Sequence, residues 1–230
     1  MSKYLWCEDS GSGYQFWHTL FRYLYPDITV ESKKNNSRLR AAVGQIEDDG
    51  NEYYILMDAA ADNPDVLREN QALRKNAAGK ANVHLILIHS FEFVLLSFRL
   101  LDQWVFAAQD ELREKRQNLL LAGALFVKLI LSEGTGEELS AFREMFPEAE
   151  KANSEQIASR LLFEITRNTG FETDKGKLGV CFTVDCCDWV ERQTNDICGL
   201  DNNRISGVQK AELLVAHSVL KGAFERVGLT

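Results

Sequence analysis

"YYILMDAAADNPDVLRENQALRK", residues 53–75, changes its periodicity halfway along. The first five residues are continuously apolar, the pattern of a strand covered on both faces. Asp58 ends that run. Asn63 then precedes Pro64, a proline in the tolerated first helical position, and "PDVLRENQALRK" continues with helical spacing. Asp65 falls in the first turn, near the positive end of the helix. A buried strand that passes through a short turn into a helix is half of a βαβ unit.

The same alternation extends outward. "KYLWCE" reads as a first strand, and Tyr14, Phe16, Trp17, Leu20, Phe21 and Leu24 give the next segment the apolar stripe of a helix. "ITVES" is a second strand, "SRLRAAVGQI" a weak helix, and "VHLILIH" a fourth strand leading into "FEFVLLSF". This order predicts an α/β fold with a doubly wound, mostly parallel four-stranded sheet. Beyond Leu100 the pattern becomes helical. "ELREKRQNLLLAGALFVKLILS" predicts one long helix and "EELSAFREMF" a shorter one, while "NSEQIASRLLFEI" and "SGVQKAELLVAHSVLKGAFERV" each open with capping-box spacing. The expected organisation is an α/β unit over residues 1–105 and a mostly helical extension over 106–230. "ETDKGKLGVCFTVDCCDW" interrupts the helical run as a strand, a lid or a short helix.

At 230 residues, 45% apolar and 26% charged, the chain has the composition of a soluble globular protein. Its formal charge of −8 argues against the broad basic surface that wraps duplex DNA, although a small basic patch can still bring phosphate to a bound cation. Five cysteines, an odd number, fit a reducing compartment. "MSKYLWCEDSGSG" reaches charge and glycine before a signal core can form, so a cytoplasmic location is expected. The longest apolar run, "LLLAGALFVKLIL" at 119–131, is interrupted by Lys128 and too short to span a bilayer.

In a parallel sheet with the first strand beside the third, Glu8 and Asp58 leave neighbouring strands in the same direction, with Asp62 close behind. Three such acids repel one another unless a cation lies between them, and their oxygens suit magnesium or manganese. The same residues also read as helix starts. Ser12 and Gln15 have capping-box spacing, Asn63 caps the helix at Pro64, and Asp62 belongs to that turn. The sequence leaves both readings open. His89, at the end of the fourth strand, is a candidate phosphate contact or acid-base group.

Other motifs are weaker. Cys181, Cys186, Cys187 and Cys198 lack paired C-x-x-C hooks and read more simply as small buried hydrophobes than as zinc ligands. Cys7 has no sequence-local histidine to activate it. "GSG" lacks the glycine ladder of a dinucleotide site, and "GTGEE" at 134–138 lacks the lysine and hydroxyl of a phosphate loop.

The order of elements and residues resembles a divergent topoisomerase-primase (Toprim) domain. It is most similar to the form in nucleases of the overcoming-lysogenization-defect type and in related prokaryotic anti-phage effectors. Glu8 matches the glutamate closing that family's first strand, "ESKKNNSRL" its polar turn after the second, and Asp58 the aspartate after the third. Glu92 in "HSFEFVLLSF" matches the acid that follows the fourth. The likeness covers about the first hundred residues. It implies divalent-metal-dependent nuclease activity on nucleic acid, with Glu8, Asp58 and Asp62 holding Mg2+ or Mn2+ and Lys33, or Lys34 beside it, contacting phosphate. In this assignment Glu8 is alternatively a general base, Ser10 a phosphate donor or a helix-start residue, and Glu92 either completes a second ion site or caps the helix that Ser90 begins. The resemblance also implies a homodimer or a partner effector subunit. Two departures stand out: Ala60 occupies the second position of the family's paired aspartates, and Asp9 stands where a glycine is usual. They motivate an alternative, a catalytically inactive relative that kept the scaffold for protein interaction or sensing.

Overall fold

The computed structural model describes residues 1–59, 62–106, 110–185 and 205–229. Four strands, β1 (Lys3–Cys7), β2 (Ile28–Ser32), β3 (Glu52–Asp58) and β4 (Val83–Ile88), form a parallel sheet in the order β2-β1-β3-β4. They alternate with helices α1 (Ser12–Leu24), α2 (Asn36–Gly44) and α3 (Pro64–Ala77). The expected neighbours are paired: Tyr4 lies opposite Tyr53, and Trp6 opposite Ile55.

β3 shows why the sheet needs two apolar faces. Side chains alternate across a strand, so Tyr53, Ile55 and Met57 pack with Leu39, Val43 and Leu73 of α2 and α3. Tyr54 and Leu56 point the other way, into a larger core with Phe16, Trp17 and Leu20 of α1. That second core also takes in Phe126, Leu161, Leu214 and Phe224, so the helical half of the chain builds the outer layer on this face.

The helical half comprises α4 (Phe91–Ser97), α5 (Leu101–Phe106), α6 (Asp110–Lys115), α7 (Gln117–Ile130), α8 (Gly136–Met145), α9 (Ser154–Thr166), α10 (Val180–Thr183), α11 (Gly207–Ala216) and α12 (Leu220–Glu225). Two expected long helices are broken. The first divides at Arg116, whose guanidinium leaves the helix line to donate to the carbonyls of Ile165 (2.7 Å) and Arg167 (2.7 Å) at the end of α9. Those terminal carbonyls have no partner inside their own helix, and a buried arginine fork satisfies two of them. The second divides between α11 and α12, where Ser97 Oγ accepts from the Val219 amide. The interrupting segment around 171–185 is irregular apart from the single turn of α10. Among the described residues, no helix is long and apolar enough to cross a membrane.

Local caps account for several helix starts. Ser90 accepts from the Phe93 amide, Asn63 from the Asp65 amide, and capping boxes form at Asn153 and Ser206. Ser12 departs from its expected role. The residue before α1 is Gly11, at φ 62°, and the Ser12 hydroxyl donates instead to the Lys175 carbonyl at 2.9 Å. A positive φ suits glycine and costs other residues free energy.

Candidate functional site

The carboxyl ends of β1, β3 and β4 open into a cleft of about 320 Å3. One wall is the start of α1 and another the start of α4. The third comes from the first turn of α9, with Lys175 at the rim. Glu8, Asp9, Asp58, Glu92 and Glu155 all line it. Ligands of open α/β sheets settle in this position because strands and helix N-termini end there together.

Several of the predicted acids nevertheless have hydrogen-bond partners of their own. Asp62 does not line the cleft: its carboxylate accepts from both the backbone amide (2.6 Å) and the hydroxyl (2.6 Å) of Ser154, the first residue of α9. It therefore secures a helix that begins 92 residues later in the chain. Glu92 sits in the first turn of α4, where the Ser90 hydroxyl and its own backbone amide favour its ionised form. Glu8 is hydrogen-bonded by Asn36, the first residue of α2. Asp9 accepts from the Trp17 indole at 2.9 Å. A Cβ on Gly13 would collide with that Asp9 carboxylate, so the second glycine of "GSG" makes room for it. The Asp58 carbonyl accepts from the Asn70 side chain.

This arrangement corrects the metal-centre expectation. Among the described residues, no group of three histidine, cysteine, aspartate or glutamate side chains is placed to hold a metal ion. Glu8, Asp58, Asp62 and Glu92 are thus not a magnesium or manganese centre, and the metal-dependent nuclease function expected from them is overturned. The physical reason lies in the helix starts, which draw Glu8, Glu92 and Asp62 to three different places.

Lys33 lies off the cleft as well. Its ammonium pairs with Glu31 at 2.7 Å and rests over the Trp6 ring, 3.7 Å from the centroid, on the sheet face that carries α2 and α3. Lys34 is absent from the cleft lining too, whereas Ser10 is present. Cys186, Cys187 and Cys198, weighed for zinc, lie outside the described residues. Burial pushes the Cys7 thiol up to about 12, which leaves it a poor nucleophile.

Protons stabilise this acidic cleft where a cation was expected. Burial, reinforced by Asp9 and Glu155, pushes Glu8 up to about 7. Burial does the same to Glu92, also up to about 7, with smaller contributions from Asp9 and Glu155. Asp9 is raised chiefly by burial. His89 is pushed below its ordinary value by burial, against the opposing influence of Glu155 and Asp62, so its ring is neutral at pH 7. A neutral imidazole beside several carboxyls is a poor seat for a phosphate.

The polarity of the His89 contacts follows from the network. Ser154 Oγ gives its proton to Asp62 and must therefore accept from His89 Nε2, 2.8 Å away. This sequence, aspartate to serine to histidine, runs opposite to a nucleophile triad, in which the histidine stands between the other two. It leaves His89 Nδ1 as a bare acceptor.

Glu155 is the principal wall residue that sequence reasoning missed. "NSEQ" announces a capping box and hence a helix start, but only the fold turns that start toward the strand tips. Asp9 was read as a departure from a family pattern, and it lines the cleft beside Glu8. Comparisons of the chain with family models, with curated proteins and with solved structures find no match.

Proposed function

We propose that this chain is a Toprim-like recognition module, a protein-interaction or sensing unit whose strand-end cleft binds a ligand without performing phosphoryl transfer. One observation carries it: Asp62, the acid needed to complete a metal-binding set, has both carboxylate oxygens committed to the start of α9. The parallel sheet with Glu8 after β1 and Asp58 closing β3 supports the Toprim-like part of the proposal. The cleft, with its partly protonated acids and an apolar floor of Leu56 and Ile88, supports binding over cleavage. Its natural occupant is a group presented by a partner effector subunit or a small signalling molecule.

The test is a set of cationic, neutral and anionic small probes titrated into the 15N-labelled chain. Probes that bind are expected to shift the Ser10, Ser90 and Glu155 amides together and to be recovered chemically unchanged. Binding confined to other surfaces, or recovery of a probe as product, would overturn the function.

A further inference from the structure

β4 is an edge of the sheet, hydrogen-bonded to β3 on one side only. Across that pair the carbonyls of Asn82 and Ile88 accept from the amides of Tyr53 and Ala59. The even-numbered residues of β4 therefore turn their main-chain groups inward, and the odd-numbered ones turn theirs outward. The outward amide of Val83 donates to the Lys80 carbonyl. Among the described residues, none pairs with the outward amides and carbonyls of Leu85 and Leu87. The side chains of both leucines lie on the α2 and α3 side of the sheet, and Leu87 is 40% exposed. The strand itself, "VHLILI", has no aspartate, glutamate, lysine, arginine, proline or glycine, and its register runs without a bulge. Natural sheets blunt their free edges with charges, prolines or bulges. The opposite edge, β2, follows that rule, since it carries Glu31 paired with Lys33. β4 has none of these devices.

We propose that β4 is a dimerisation edge, at which two copies of this chain pair their β4 strands antiparallel about a two-fold axis at Ile86 and join their sheets into one. Leu85 of each copy then stands opposite Leu87 of the other, and every outward amide of these residues meets an outward carbonyl. The chemistry of the edge selects its occupant. Donors and acceptors alternating at this spacing are matched by another extended main chain. A second copy supplies such a segment, an uncharged strand with the same groups exposed. A two-fold contact sets a surface against itself, so it suits a strand without charge. The same pairing at β2 would instead bring the Glu31 carboxylates of both copies to one seam. At β4 the seam gathers leucines from both copies on a single face, where each covers apolar surface of the other. Pairing there uses up the unprotected edge of each copy, so assembly stops at the dimer. The inference concerns the side of the sheet and is independent of what the strand-end cleft binds.

Two measurements on the full chain test it, in about 0.3 M salt to screen the charge of −8 on each copy. Sedimentation from about 1 µM to about 500 µM should show the mass doubling and then levelling off. Over the same range, amide hydrogen exchange at Leu85 and Leu87 should slow by roughly tenfold or more, while Ile86 and Ile88, already bonded to β3, stay protected throughout. Leu87→Lys places a charge on the exposed seam and should weaken the dimer by roughly tenfold or more. If that variant does not fold, the exchange of the wild-type amides decides alone. A monomer at every concentration would overturn the proposal, as would assembly that continues beyond the dimer. Leu85 and Leu87 amides that exchange as slowly as Ile86 in the monomer would show that the chain covers its own edge, and would overturn it too. A dimer that leaves those two amides unprotected, or that Leu87→Lys forms with undiminished affinity, would place the contact on another surface and refute this one.

Discussion

Replacing Glu92 with glutamine should make the protein more stable at alkaline pH and leave it nearly unchanged at acidic pH. Glu92 is only 8% exposed and titrates at about 7, against an ordinary value of 4.5, chiefly because burial penalises its charged form. Between those two values the folded chain holds a proton that the unfolded chain has released. The stability from this group is therefore complete below about pH 4.5 and is lost as pH rises through about 7. At about 1.4 kcal/mol per pH unit, the gap amounts to about 3 kcal/mol. The glutamine side chain would mimic the protonated carboxyl, since its Oε1 can still accept from the Ser90 hydroxyl and the backbone amide. Asp9 and Glu155, the like charges felt at this site, remain in both proteins, as does Glu8. Urea unfolding of wild type and variant between about pH 4 and pH 8.5 measures the difference, which should grow from near zero to about 3 kcal/mol in favour of the variant. A variant less stable at high pH, or a difference that does not change with pH, would refute this account.

Two further substitutions probe the walls. Asp62→Ala removes the acceptor for two Ser154 donors and should cost about 1–3 kcal/mol by urea unfolding. Asp62→Asn should recover part of that loss, because one amide oxygen can still accept. Gly13→Ala should lower stability by about 1–3 kcal/mol by thermal or urea unfolding, since the new methyl meets the Asp9 carboxylate, and Asp9→Ala in the same chain should relieve much of it.

The parts of the fold legible in the sequence are those set by local rules. "YYILM" announced a strand buried on both faces, and β3 carries one core on each side. Ser90, Asn63, Asn153 and Ser206 cap helices because a cap needs only an oxygen and an amide two or three residues away. The parallel direction of the strands followed from the alternation of elements, and the structure places β1 beside β3. What escaped depends on residues distant in sequence. Nothing near Asp62 signals Ser154, nothing near Arg116 signals the end of α9, and nothing near Lys33 signals the face of Trp6. Acids spaced like metal ligands are also spaced like helix-start residues, and only the tertiary arrangement separates the two.

β3 has a consequence for how this chain can change. Its odd-numbered side chains belong to one apolar layer and its even-numbered ones to the other, so inserting or deleting a single residue at the start of the strand, beside Glu52, would exchange the two sets. Ile55 and Met57 would then face α1 while Tyr54 and Leu56 faced α2 and α3, unpacking both sides of the molecule at once. Insertions and deletions are tolerated better in the loops around such a strand, and the cleft at its tip inherits a floor that cannot slide.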